Sequence, residues 1–239
     1  MKAQERHQLK QNDFLETATS VTGLVKENRS QVALVIGGLL VVGAIAGGWY
    51  YLKTQKNNAA GALLGIAMAT SQAPITPAPS LPGAKQIPGT YPTEKDRAEA
   101  AIKAFNDVAA QYPGTDAANS ALYQAGSELL ALGRTADAQQ AFQKVAASGS
   151  AFYAPLARLG EAEALMATGK HDDAIKIYTE LAANRESTLP VDGLLMELAR
   201  AAQKAGKTQD AKAAFKRVVD EFPNSGYVTD ARQSLAGLN

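Results

Sequence analysis

Four aromatic side chains recur at a nearly constant interval in this chain. Phe105, Phe142, Tyr178 and Phe215 are separated by 37, 36 and 37 residues, and each stands four residues after an alanine: Ala101, Ala138, Ala174, Ala211. Three residues past each aromatic comes Val108, Val145, Leu181 or Val218, and Gly133, Gly169 and Gly206 precede the last three alanines by five. Several signals on one period of this length are the mark of a helical hairpin repeated along the chain. No such unit can bury its own apolar face, so neighbours must stack. The expected fold class is therefore all-α: a solenoid of about four hairpins, with Tyr227 to Leu238 as a closing cap helix.

The letters around each glycine, LALGRTADA, MATGKHDDA and QKAGKTQDA, suit a hairpin corner. Glycine after an apolar helix meets the need for a left-handed C-terminal cap, and Thr or Asp at the start of the next helix offers acceptors to its free amides. Small Gly126, Ala162 and Ala199 are expected to face small Ala138, Ala174 and Ala211 across each hairpin, bringing two helices close. Phe142, Tyr178 and Phe215 then fill the layer between neighbours.

A second feature is the run Val32 to Leu52, 21 residues without a charge. As a helix it would be about 30 Å long, the thickness of a bilayer's hydrocarbon core, and it reads as a single transmembrane helix. Trp49, Tyr50 and Tyr51, followed by Lys53 and Lys56, mark one lipid–water boundary. A cleavable signal peptide is the rival reading, because Ala44-Ile45-Ala46 is an A-x-A-like site. Against it, 31 residues holding four acids precede the run, which continues past the supposed cut. Gly43 with Gly47, and Ala44 with Gly48, repeat a small-residue spacing that either admits a second membrane helix or reflects the general abundance of glycine in such helices.

The expected organisation is a tail (1–31), the membrane helix (32–52) and a repeat domain (53–239) with a proline-rich insertion (72–93). Phe14, Ala18, Val21 and Val25 give the tail a weak amphipathic face, so it is either a short surface helix or loosely ordered. Lys26 and Arg29 are matched by Lys53 and Lys56, so local charge does not orient the span; the tail's five basic residues in all favour a cytoplasmic N-terminus and an external body. Asn58 to Thr70 reads as a separate helix leaving the membrane. Six of the ten prolines fall in the insertion, which rules out helix or inner strand there. Pro79 to Pro82 makes a P-x-x-P that a proline-rich spacer produces readily. Residues 57–239 hold 17 Lys and Arg against 19 Asp and Glu, so no basic footprint for nucleic acid exists.

These residues resemble the tetratricopeptide repeat family, whose small, glycine, alanine and aromatic positions fall where Gly126, Gly133, Ala138 and Phe142 stand. The resemblance covers residues 96–239. Tyr112-Pro113 and Phe222-Pro223 match the family's closing proline, whereas Ser150 and Glu186 do not, and Val or Leu replaces a usual alanine after each aromatic. Slightly longer, looser units are implied. The first unit reads as split, with Asn58–Thr70 as its first helix, Lys95–Gln111 as its second, and the insertion between. The whole layout resembles membrane-anchored periplasmic repeat proteins such as the ancillary subunit of the bacterial SecYEG translocon (YfgM-like). Phe222 to Leu235, FPNSGYVTDARQSL, is also similar to repeats in envelope lipoproteins of outer-membrane assembly and in the coordinator of the Tol-Pal system, but those lack this anchor.

No catalytic, cofactor-binding or metal-binding residue is assigned. Zero cysteines exclude thiolate chemistry, and His7 and His171 are the only histidines, too few for a nucleophilic triad. His171-Asp172-Asp173 reads as a polar helix start favoured by the helix dipole, with metal binding the weaker alternative. Ala205-Gly206-Lys207-Thr208 holds only the last letters of a phosphate loop.

The resemblance implies that the first helix of each unit lines the concave side. The register places Tyr123, Leu159 and Met196 there, with Leu130 and Met166 further along and Arg200 and Lys204 at one end. This stripe suits extended or helical apolar segments, or else it packs on the chain's own helices or on a second copy. Repeat domains that clamp a C-terminal carboxylate need lysine and asparagine where Tyr123, Ser127, Leu159 and Glu163 stand, which argues against that activity. The expected function is a non-catalytic, single-pass scaffold of the bacterial inner membrane. Its expected partners are translocon subunits, periplasmic chaperones or envelope-assembly proteins. The alternatives are a structural homo-oligomer and an outer-membrane-assembly or Tol-Pal type coordinator of cell division.

Overall fold

The computed structural model describes residues 29–79, 85–184 and 188–238, without the side chains of Arg29, Gln31, Val32, Val35 and Ile36. The amphipathic tail helix, His7, Glu186 and the Pro82 end of the P-x-x-P lie outside these residues. Among the described residues there are nine helices and no strand beyond one isolated bridge.

Helix α1 (Arg29–Ser71) merges two segments that the sequence reading kept apart. The junction, Lys53-Thr54-Gln55-Lys56, holds neither proline nor glycine, so nothing stops the first helix or caps a second. Among the described residues no helix is long and apolar enough to cross a membrane. The expected span is therefore not reproduced there. The chain divides into two compact units, residues 1–55 and 56–239. In the first, Lys53 Nζ stands 5.0 Å over the Trp49 ring, and the Gln55 side-chain amide donates to the Tyr51 hydroxyl at 2.8 Å.

The second unit is the stack. It holds the end of α1, then α2 (Glu94–Gln111), α3 (Asp116–Ala131), α4 (Thr135–Ala146), α5 (Tyr153–Ala167), α6 (His171–Ala183), α7 (Val191–Lys204), α8 (Thr208–Glu221) and α9 (Val228–Gly237). From α2 onward each helix packs on the next, and α3 also touches α5, the first helix of the following hairpin. Alternation of near and next-near neighbours is what a tetratricopeptide-like solenoid requires. Ala67 of α1 shares a core with Ala101, Phe105 and Val108 of α2 and with Ala121 and Ala125 of α3.

The periodic residues build that core. Ala101, Ala138, Ala174 and Ala211 are fully buried, and Phe105, Phe142, Tyr178 and Phe215 retain only 1% of their surface. An alanine that brings two backbones together beside an aromatic that fills the next layer is close packing set by one sequence period.

Each corner closes on a glycine. Gly133, Gly169 and Gly206 have φ of 74°, 75° and 75°, and the next amide (Arg134, Lys170, Lys207) donates back to Leu129, Leu165 or Ala202 at 2.8–2.9 Å. That six-to-one bond with a left-handed residue is the Schellman motif, and a side chain at φ near +75° is strained. The following helices, however, are not capped as the sequence reading expected. Arg134, Lys170 and Lys207 occupy the N-cap positions with no side-chain cap bond, so Asp137, Asp172, Asp173 and Asp210 act through the helix dipole. Side-chain caps occur instead at Thr93 and Thr115, whose hydroxyls accept from the Asp96 and Ala118 amides at 3.1 Å.

The described ends of the proline-rich insertion, residues 72–79 and 85–93, are pinned to each other. The Thr76 amide donates to the Tyr91 carbonyl at 2.9 Å and the Tyr91 amide to the Pro74 carbonyl at 3.0 Å. The Gln86 side-chain amide crosses between the limbs to the Thr76 carbonyl and the Thr90 hydroxyl, both at 2.8 Å.

Candidate functional site

The first helices of the last three hairpins, α3, α5 and α7, carry the stripe expected to bind. Its apolar members turn mostly into the core. Met196 is 1% exposed and packs with Leu195 and Phe215, so it is a core residue and not a contact. The cause is local: α7 lies between α6 and α8, and Leu194, Leu195 and Met196 are all covered. Leu130, Leu159 and Met166 are half-buried against the cores of their own hairpins. Tyr123, also half-buried, sets its ring 5.7 Å from that of Phe142 at 56°. The Ser127 hydroxyl donates to the Tyr123 carbonyl at 3.2 Å.

The polar members front open space. Glu163, Arg200 and Lys204 are exposed and line a cleft of ≈280 Å³ between α5 and α7. Met166, Glu197 and Gln203 complete its walls, and Tyr178 of α6 closes its floor. Arg200 holds Glu197 at 2.6 Å, one turn along the same helix. Loss of water first, and the Glu197 carboxylate second, push the Glu163 pKa up. Burial likewise raises the Tyr178 phenol, with Glu197 and then Glu163 adding to it. Tyr123 is raised by burial and by the Glu163 charge, with Ser127 partly offsetting both. The cleft thus carries two carboxylates, Glu163 and Glu197, and two cations, Arg200 and Lys204. Sequence reasoning missed Glu197 and Gln203, which lie one and seven residues past Met196 in the same helix, and read Tyr178 as core alone.

A buried charge network sits elsewhere on α5. Glu161, 7% exposed, accepts from the Gln143 side-chain amide and from Arg158 Nη1, both at 2.9 Å. Arg158 Nη2 reaches on to Glu180 at 2.6 Å, so α4, α5 and α6 are tied together by one guanidinium and one buried carboxylate. Nothing in the repeat period marks Glu161.

At the start of α6 the expected polar helix start is resolved into pairs. Asp172 meets Lys207 at 2.9 Å and Asp173 meets Lys176 at 2.9 Å. The hydrogen bond from Lys207 and then its charge lower the Asp172 pKa. His171 Nδ1 is buried without a hydrogen-bond partner. Among the described residues no three His, Asp or Glu side chains are grouped to hold a metal.

Close packing depends on two glycines. A Cβ on Gly126 would stand 2.7 Å from Phe142 Cε1, and one on Gly160 would stand 2.6 Å from the same atom. The Phe142 ring is thus wedged between consecutive first helices, each thinned to backbone at the contact. In the other unit, Gly43, Gly47 and Gly48 have nothing within 4 Å of where a Cβ would be, and the neighbouring Val42 and Ile45 are exposed.

A tetratricopeptide repeat profile matches residues 123–187, and a second matches residues 194–225. No curated protein matches the chain. Among solved structures, a candidate kinesin light chain from Podosopora anserina with nearly identical TPR-like repeats is similar at 16% identity, over 74% of this chain and 83% of that one, with a TM-score of 0.54. MamA, residues 41 to the end, from Desulfovibrio magneticus RS-1 is similar at 19% identity, over 61% of this chain and 76% of that one, with a TM-score of 0.49. At these identities the first likeness speaks to the fold alone.

Proposed function

We propose, for a chain whose residues 123–187 and 194–225 belong to the tetratricopeptide repeat family, a non-catalytic scaffold that docks partner proteins on the face of its first helices. The observation that carries this reading is the division of labour in each hairpin. The aromatic period is sealed inside, while the outward register of α5 and α7 leaves an open cleft lined by Glu163, Arg200, Gln203 and Lys204. A buried core with an unspent polar face is a surface for binding.

The same proposal places residues 32–52 of α1 in the bacterial inner membrane as a single pass, with the tail cytoplasmic and residues 53–239 periplasmic. Leu39, Leu40, Val41 and Val42 span a full helical turn and each keeps 59–69% of its surface, so apolar groups ring the helix. A helix apolar all round is suited to lipid or to another helix, not to water. Translocon subunits and periplasmic chaperones are the proposed partners, by the likeness of the layout to YfgM-like proteins. Affinity capture of the full chain from solubilised membranes is expected to recover translocon components or envelope chaperones; recovering neither overturns the partner assignment. A tag on each terminus reads the topology: in spheroplasts a protease is expected to remove the C-terminal tag and spare the N-terminal one.

A structural homo-oligomer is the second reading, favoured by the open strip at Gly43, Ala44, Gly47 and Gly48. Mass measurement in detergent separates the two, since a stable symmetric oligomer without other proteins supports this one.

A further inference from the structure

The two edges of the helical stack differ in chemistry. At one edge lie the glycine corners, each turning on a cation, Arg134, Lys170 or Lys207, with an aspartate within three residues. At the other lie the loops between hairpins. Their described residues, 112–115, 147–152, 184, 188–190 and 222–227, hold no charged side chain. From Glu94 onward the exposed large apolar side chains among the described residues are Phe152 (56%) and Tyr227 (40%), and both stand in those loops. The Phe152 ring is braced edge-on against Tyr153, with centroids 5.0 Å apart at 89°. Ser150 fixes the turn behind it, its hydroxyl accepting from the Tyr153 amide at 3.2 Å and its carbonyl from the Ala154 amide at 2.9 Å. An apolar ring is thus held outward by a loop that bonds its own polar groups.

Chain connectivity says what this edge meets. Lys56 Nζ donates to the Pro113 carbonyl at 2.8 Å, so the first inter-hairpin loop is fastened to the point where α1 enters the stack. Lys56 is four residues past Leu52, the last residue of the uncharged run. Four residues of chain reach at most about 14 Å in any conformation. A bilayer that holds residues 32–52 therefore lies within that distance of the loop edge, whereas the glycine corners stand a helix length from that edge, about 20 Å. We infer that the inter-hairpin edge of the stack rests on the headgroup layer of the bilayer, with the Phe152 ring inserted at the boundary with the acyl chains. The inference rests on the single-pass reading of residues 32–52 and adds which edge the membrane covers. Aromatic rings are favoured at that boundary, and an uncharged loop gives up no ion hydration in approaching it. The opposite corners offer anionic headgroups little free charge, since Arg134 is paired with Asp137 at 2.6 Å and Lys207 with Asp172 at 2.9 Å. Resting on the loop edge, the first-helix face looks along the membrane, toward partners held in the same bilayer.

The chain has no cysteine, so a single introduced one carries a unique nitroxide label. The test uses the full chain in nanodiscs of phosphatidylethanolamine and phosphatidylglycerol. Labels are placed by Ala151→Cys, an exposed neighbour of Phe152, by Arg134→Cys at a glycine corner, and by Val41→Cys in the uncharged run. Power saturation compares access by oxygen, which partitions into lipid, with access by a water-soluble nickel chelate. The oxygen-to-nickel ratio is expected to be at least ~3-fold higher at 151 than at 134. Adding Phe152→Asp brings the ratio at 151 down to that at 134, with circular dichroism reporting that the helices are kept. A lipid-like ratio at 41 with a water-like one at 151, or with one at 151 that Phe152→Asp leaves unchanged, overturns the inference while the single-pass reading stands. A water-like ratio at 41 overturns that reading and the inference with it.

Discussion

Adding one methyl group at Gly160 gives a sign that helix propensity alone does not. An exposed glycine inside a helix costs about 0.8–1 kcal/mol relative to alanine, so Gly→Ala normally stabilises. At Gly160 the new Cβ would lie 2.6 Å from Phe142 Cε1 and 2.7 Å from Cζ, well inside a carbon–carbon contact. The ring cannot retreat toward α3, because the position of a Cβ on Gly126 is only 2.7 Å from the same edge. Overpacking of this kind costs about 1–3 kcal/mol, which offsets or outweighs the propensity gain. The expected net is a loss of up to about 2 kcal/mol, or a Tm lower by up to roughly 8 °C for a domain of this size. Thermal melts followed by circular dichroism on the full chain measure it, with Gly65→Ala as the control, since nothing lies within 4 Å of a Cβ there. That control is expected to gain stability. In a Phe142→Leu background the penalty at Gly160 should shrink by about 1 kcal/mol, the coupling of two touching residues. If Gly160→Ala raises Tm as Gly65→Ala does, the wedge argument is wrong.

Three further substitutions probe the same stack. Gly169→Ala puts a side chain at φ 75° in a corner with open space around it, so strain acts alone and the melt should show a loss of about 1–2 kcal/mol. Arg158→Ala leaves Glu161, 7% exposed, with Gln143 as its remaining partner, and should cost about 2 kcal/mol in a denaturant titration; an unchanged midpoint would show that the network adds nothing. Glu163 has a raised folded-state pKa, so the folded chain holds that proton more tightly than the unfolded one, and stability falls as pH rises from the ordinary value of 4.5 through the folded value. Glu163→Gln should therefore raise Tm at pH 7 and change it little below pH 4, and the reverse order would contradict the assignment.

The fold was legible because it is written in residues whose job is steric. A glycine that must sit at positive φ, an alanine that lets two backbones meet, and an aromatic that fills the next layer admit few substitutes, so Gly133, Ala138 and Phe142 recur on one period. The split first hairpin was legible for the same reason, since Ala67 joins Phe105 in one core. The merging of two expected helices into α1 was not, because a boundary is set by what interrupts a helix and Lys53 to Lys56 carry no interruption. The binding face was harder still. Period places Tyr123, Leu159 and Met196 in one column, but burial is decided by the neighbouring helices, and α6 and α8 cover Met196 while Tyr123 stays half-open. Gly160 falls outside the repeated columns, with Gln124 and Glu197 at its equivalent positions, so its contact with Phe142 depends on the three-dimensional stack. Glu161 is invisible for a related reason, since satisfaction of a buried polar group is a property of its partners.

The central claim is that the first-helix face docks other polypeptides while the second helices do not. Site-specific photo-crosslinking in living cells tests it, with p-benzoyl-phenylalanine replacing Gln203 in the cleft or Lys216, an exposed residue of α8. Discrete crosslinked partner bands from position 203, absent at 216 and diminished by Glu163→Gln, are the predicted result. Partner bands from 216 with none from 203 would contradict it.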